Sequence, residues 1–319
     1  MPVKSINAYV RETVPYIQAL TNHSWELFII PNNLEKNEWA NDERISIVDS
    51  GKVGPAKKRD FGAQKASGNI LVFLDDDSYP EPNILKIANE HFSDSNVIAI
   101  GGPGVTPISD NFWQRVSGAV FMSKFTGGSP ERYIPEGKLR EIDDWPSVNL
   151  MVRKKVFLSV GGFGSKYWPG EDTLLCLKLK KTGKKLIYDP NMIVWHHRRA
   201  GLKVHLKQIG AYGLHRGFFA KTYPDTSFKF KYFLPSAFTL FSIISLFYLL
   251  LPNEAKNTII LGWFVYLISL VLGGLEISKH EKALVAIVSI FFVIPTHFYY
   301  GLNFIYGYLF KQKLVSVLR

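Results

Sequence analysis

The 319 residues carry 38 Lys and Arg against 27 Asp and Glu, a formal charge of +11, with 47% hydrophobic side chains and one cysteine. That length leaves room for a core domain plus an appendage, and a lone cysteine excludes an intrachain disulfide. The charge is local, since residues 166–231 hold 14 basic and 4 acidic side chains. This block lies directly before an apolar stretch and no nucleic-acid module precedes it, so its partner is expected to be membrane lipid and not nucleic acid.

In chain order, residues 1–11 carry charges and no apolar core, so no cleavable signal is predicted and the following domain is expected on the cytoplasmic side. Strands are predicted over 27–30 and 45–48, then a helix over 55–67 opened by Pro55. A buried strand over 70–74 follows, then a helix over 83–92 and a strand over 97–100. Such alternation predicts an α/β domain with a mainly parallel sheet flanked by helices.

The apolar run Ile70, Leu71, Val72, Phe73, Leu74 ends in three consecutive aspartates, Asp75, Asp76 and Asp77, with Ser78 and Pro80 closing the strand. Strand C-termini are where α/β sheets place ligands. Three clustered carboxylates repel one another, and a divalent cation or hydrogen-bond donors would relieve that cost. Alternation along an extended segment puts Asp75 and Asp77 on one side and Asp76 on another. An acidic turn leading into a helix is the plainer reading.

A second acidic pair, Glu171 and Asp172, follows Trp168, Pro169 and Gly170 and opens the apolar run Leu174, Leu175, Leu177 and Leu179. First-turn carboxylates suit the helix dipole, and beside a metal site they also supply a group free to act as base. His196 and His197 follow a predicted strand over 192–195, where diphosphate contact or packing is expected ahead of a metal role.

Taken in order, several of these segments resemble the family 2 glycosyltransferases, inverting nucleotide-sugar enzymes with a GT-A fold. Pro2, Val3, Lys4 and Asn7 resemble the loop after that family's first strand, 26–31 its second strand, and 68–80 the strand ending in its aspartate-x-aspartate motif. Residues 149–163, NLMVRKKVFLSVGGF, resemble its acceptor-side segment, and 170–179, GEDTLLCLKL, its catalytic-base motif. The resemblance covers roughly residues 1–220. It implies a nucleoside-diphosphate sugar held by Asn32, Arg59, Asp75, Asp76 and Asp77, with Mg²⁺ or Mn²⁺ on Asp75 and Asp77. Asp172 would be the base, Glu171 its orienting partner or an acceptor contact, and Asn149, Gly161, Gly162 and Trp168 the acceptor side. Arg59 reads equally well as one more solvated charge beside Lys57 and Lys58.

The chain departs from the family at two places. It begins where the family's first strand should already have ended, so that strand is expected to be lacking, and Asn32 stands where an aspartate usually holds the nucleobase. The function implied is sugar transfer to a lipid-linked or cell-envelope polysaccharide acceptor. The alternatives are a nucleotidyltransferase on a related sheet, for which 51–54 is a poor phosphate loop, or a silent scaffold. The family's glutamine-x-x-arginine-tryptophan motif of processive synthesis is absent.

Toward the end, 233–251 and 258–275 are uncharged, and a third apolar segment spans 283–310 with Pro295, Gly301 and Gly307 inside it. The first two are each long enough for a bilayer core of ~30 Å. The expected division is a catalytic domain over 1–200, a basic amphipathic interfacial segment over 201–232, a transmembrane region over 233–310 and a tail over 311–319. Two spans are expected, plus a third span or a re-entrant segment in which 296–310 turns back or lies along the cytoplasmic interface. The chain is thus expected to be an integral protein of the cytoplasmic membrane.

Overall fold

A computed structural model describes residues 1–21 and 24–314. They divide into two compact units, Met1–Val105 with Ile134–His197, and Thr106–Tyr133 with Arg198–Leu314. The division differs from that expected, because 106–133 leaves the sheet-bearing stretch and belongs to the helical unit. Its helix, Phe112–Ala119, buries Val116 and Ala119, and the segment spends Arg115 on Glu281 and Ser123 on Glu276. Residues 315–319 of the expected tail lie outside the described residues.

The first unit is built on a five-stranded sheet in the order Ile70–Phe73, Leu150–Arg153, Val97–Gly101, Lys185–Tyr188, Arg140–Glu141. Leu150–Arg153 runs antiparallel to both neighbours, Val97–Gly101 and Lys185–Tyr188 are parallel, and Arg140–Glu141 is antiparallel again. The sheet is therefore mixed and not mainly parallel. The expectation rested on the helix–strand alternation before residue 100, whereas Leu150–Arg153 arrives after a long excursion rather than a helical crossover. Ile70–Phe73 lies at the sheet edge, so Val72 is 36% exposed instead of buried.

Side chains alternate across this sheet and build two cores. Met151 and Ile187 face a cluster with Val10, Val14 and Ile17 of helix Ala8–Gln18 and with Ile84 and Ala88 of helix Ile84–His91. Leu150, Val152, Leu186 and Tyr188 face the other cluster, with Ala63 of helix Pro55–Lys65, Phe157, and Leu175 and Leu179 of helix Glu171–Lys180. The result is a sheet covered on both faces by helices.

Of a first strand there is a stub. The Met1 amine donates to Phe28 O, Ile30 N to Met1 O and Val3 N to Ile30 O, a single parallel bridge beside strand Leu27–Ile29. That strand pairs in parallel with Ile45–Ile47.

In the second unit, helix Leu202–Thr222 runs parallel to the C-terminal half of helix Ala283–Leu309, from His205 beside Thr296 to Lys221 beside Lys311. Gly213 and Gly217 let the two backbones meet, Gly307 does the same from the other side, and Gly210 makes room for the Tyr299 ring. Helix Ala283–Leu309 continues through Pro295 without turning back, because the neighbouring helices hold it along its length. Helix Phe230–Ser245 has 16 residues, short for a span, whereas Asn253–Ile277 and Ala283–Leu309 are long and apolar enough to cross a membrane. Only 17% of the most apolar stretch of Asn253–Ile277 is buried, which is not how the core helix of a soluble protein sits.

A methyl group on Gly217 would lie 2.1 Å from the carbonyl oxygen of Phe304. Gly217→Ala is expected to cost about 1–3 kcal/mol through this overpacking. Thermal unfolding in detergent checks it, and an unchanged melting temperature would mean that the two helices separate freely.

Candidate active site

The acidic triplet is shaped by Ser78. Its hydroxyl accepts from Asp75 N at 3.1 Å and donates to Asp75 O at 2.9 Å, closing a tight turn at the end of the strand. Ser78–Pro80, expected to end the strand, forms a short strand of its own, antiparallel to Val194–His196 with His196 opposite Ser78. That register carries the imidazole to the triplet. One ligand atom from each of Asp75, Asp77 and His196 lies within 4.8 Å of the others, and His196 Nε2 is 3.3 Å from Asp77 Oδ1.

Two carboxylates and an imidazole are a donor set a divalent ion fits. The oxygens suit Mg²⁺ or Mn²⁺, and the added nitrogen favours Mn²⁺. Asp76 is turned elsewhere, accepting from Asn7 Nδ2 at 2.7 Å, while Asn7 Oδ1 caps helix Ala8–Gln18 at Val10 N. Burial, with Asp77 alongside, raises the Asp76 carboxyl above its usual range. His197 also faces away, its ring centroid 4.8 Å from that of Tyr9 in a tilted pair and its Nε2 3.2 Å from Glu12.

The acidic pair opens helix Glu171–Lys180. Gly170, at φ +106°, makes the turn into it, a conformation that costs glycine little. Asp172 Oδ1 accepts from Thr173 N, and Glu171 is buried. Arg59 joins the two acidic groups: one guanidinium nitrogen donates to Asp75 at 2.5 Å and the other to Glu171 at 2.9 Å. It is 5% exposed, so the reading of Arg59 as a solvated charge does not hold. A single guanidinium serves both Asp75 and Glu171, with Asp172 adjacent.

Burial, reinforced by Asp172 and opposed by Arg59, raises the Glu171 carboxyl from 4.5 to about 7. A raised carboxyl contributes stability that is fully present below its unfolded value and is lost as pH rises through the folded one. Between pH 5 and 8 the wild type should therefore lose, relative to Glu171→Gln, on the order of 3 kcal/mol. Denaturant unfolding of both chains across that range measures the difference. A constant difference would show Glu171 ionised throughout.

Residues on either side of Arg59 are also committed. Lys58 is buried, donates to Ile30 O at 3.1 Å and to Asn32 Oδ1 at 2.7 Å, and burial lowers its ammonium to about 8. Asn32, the expected nucleobase contact, is thus fixed by Lys58. Asp60 accepts from Phe163 N at 2.7 Å and Gly164 N at 2.9 Å, and Lys178 Nζ donates to the carbonyls of Gly162 and Phe163. This clamp holds the Gly161–Gly162 turn, where a methyl group on Gly162 would lie 2.4 Å from Asp60. Sequence reasoning missed Asp60. The available signal was a single acid inside the otherwise basic first half of helix Pro55–Lys65.

Among the residues expected on the acceptor side, Trp168 is half-buried in the loop leading to Glu171, Gly161 is exposed and Gly162 is buried. Asn149 is 1% exposed, with its amide nitrogen donating to Pro103 O and Met192 O. Both of its donors are spent inside the protein, so it braces the fold instead of facing an acceptor.

Residues 70–301, well over half of the chain, match the family described as glycosyl transferase family group 2, and the chain belongs to it. Its fold is the GT-A fold. The mannosyltransferase from Pyrobaculum calidifontis, solved with GDP-Man and Mn²⁺, superposes with a TM-score of 0.54 at 13% identity, covering 98% of this chain and 86% of that one. A pre-mycofactocin glycosyltransferase of Mycobacterium tuberculosis is 28% identical over 54% of this chain and 36% of its own. A glucosyl-dolichyl phosphate glucuronosyltransferase of Haloferax volcanii is 26% identical over 58% of this chain and 63% of its own. A Methanococcus voltae enzyme named for glycosyl transfer to dolichyl N-acetyl-α-D-glucosaminyl phosphate is 25% identical over 56% of each chain. The chain thus spans less than two thirds of the length of each of these three relatives.

Proposed function

We propose that this protein is a membrane-anchored glycosyltransferase that moves a sugar from a nucleoside-diphosphate sugar to a lipid-linked acceptor, inverting the anomeric centre. The observation that carries the reading is the convergence of Asp75, Asp77 and His196 with Glu171 through the buried Arg59. Asp75, Asp77 and His196 would hold the divalent ion, which when bound offsets negative charge on a leaving diphosphate. Asp172 accepts the proton of the acceptor hydroxyl as its oxygen attacks the anomeric carbon from the face opposite the departing diphosphate. Arg59 fixes Asp75 and Glu171, and the Asp60–Lys178 clamp fixes the turn before the base.

The names of the two dolichyl-phosphate relatives support a lipid-linked acceptor. Two long apolar helices and the basic stretch 166–231 support an anchor with the catalytic unit on the cytoplasmic face. Calorimetric titration of the full chain in detergent with a panel of nucleoside-diphosphate sugars, with Mn²⁺ or with chelator, tests the reading. Binding of at least one donor only with metal is expected. No binding across the panel, or binding indifferent to chelator, would overturn it.

A further inference from the structure

Segment 106–133 leaves exposed three large apolar side chains, Ile108 at 79%, Trp113 at 48% and Phe125 at 52%. We propose that this segment docks into the headgroup layer of a phospholipid bilayer, inserting Ile108, Trp113 and Phe125. The proposal rests on helix Asn253–Ile277 crossing that bilayer.

Three contacts fix the depth of the segment. Arg115 pairs with Glu281, the Ser123 hydroxyl donates to Glu276, and the Thr126 methyl lies against Gly273. Glu276 lies just before the polar turn 278–282, and Glu281 lies within it beside Lys279, His280 and Lys282. Such a charged turn marks where a spanning helix leaves the hydrocarbon. The segment tied to it is therefore held at headgroup level.

The segment packs directly against both long apolar helices. Trp113 stacks on Phe292 with centroids 6.0 Å apart, and Thr126 abuts Gly273 four residues before the end of Asn253–Ile277. A mixture of Trp, Phe and Ile with an exposed Lys124 suits the interface, where rings sit among headgroups and lysine reaches phosphate. Bilayer lipid is the occupant that covers all three side chains and meets the neighbouring helices as well.

Cys176 is fully buried and is the chain's only cysteine, so an introduced cysteine takes a label alone. The full chain carrying Ile108→Cys, Phe125→Cys, Leu261→Cys or Lys36→Cys is labelled with an environment-sensitive fluorophore. Each is reconstituted into phosphatidylcholine–phosphatidylglycerol vesicles with nitroxide lipids quenching near the headgroup or near the chain ends. Labels at 108 and 125 are expected to lose emission chiefly to the shallow nitroxide, the label at 261 to the deep one, and the label at 36 to neither. Quenching at 261 without quenching at 108 and 125 would overturn the docking segment and leave the spanning helix standing. Absence of quenching at all positions would overturn both. Protection of 108 and 125 from maleimide in detergent, without quenching in vesicles, would mean that a second protein copy covers them, and would overturn the proposal too.

Discussion

Asp77→Ala is expected to abolish metal-dependent donor binding and to lower kcat/KM by at least ~10³-fold, the equivalent of the several kcal/mol a bound metal contributes to charge stabilisation. Asp77 is 4% exposed, faces His196 and shares the cluster with Asp75. Removing it leaves one carboxylate and one imidazole, which weakens the hold on a divalent ion. Asp76→Ala removes the partner of Asn7 and a like charge next to Asp77, but no member of the cluster. It should cost about 10- to 100-fold, as loss of a supporting contact does. Titration of metal into each variant, alongside rates on the donor selected by the panel, separates the two. Equal losses would undo the assignment of Asp75 and Asp77 to one side.

Asp172→Asn is expected to lower kcat by ~10²–10⁴-fold, the usual worth of a general base, with donor affinity unchanged. The amide is nearly isosteric, and its oxygen can still accept from Thr173 N as Asp172 Oδ1 does at 2.8 Å. The helix start should therefore survive while the basic lone pair is lost. Single-turnover rates and donor titration on one preparation measure both quantities. Turnover equal to wild type would remove Asp172 from the role, and a matching loss of donor affinity would place it at the donor instead.

Local signals carried much of the fold and some of the site. An apolar pentapeptide ending in Asp75 declares a strand and its acidic end without help from the rest of the chain. Gly170 before Glu171 and Asp172 likewise declares a helix start. The features that escaped depend on partners distant in sequence. Asp60 takes its meaning from Phe163, 103 residues away, and Arg59 from Glu171, 112 away. His196 joins the cluster only because Val194–His196 registers against Ser78–Pro80. The mixed sheet was illegible for the same reason, since a strand's direction is set by its connection and not by its residues. Asn149 shows the converse: a motif match located the residue, while burial decided that its amide braces two carbonyls.

The placement of 106–133 in the helical unit constrains biosynthesis. Ser123 leaves the ribosome 153 residues before its partner Glu276, and Arg115 leaves 166 before Glu281. At about 5–20 residues per second, that is a wait of roughly 8–30 s. Throughout it, the segment carries Trp113, Phe125 and an unmet Arg115 between two stretches of a nascent sheet. The five-stranded sheet needs residues on both sides of the gap, so 106–133 is joined at each end to strands of that sheet while its own packing surface has yet to be synthesised. A chain cut near residue 200 would stop permanently at that stage, with 106–133 exposed and aggregation as the outcome.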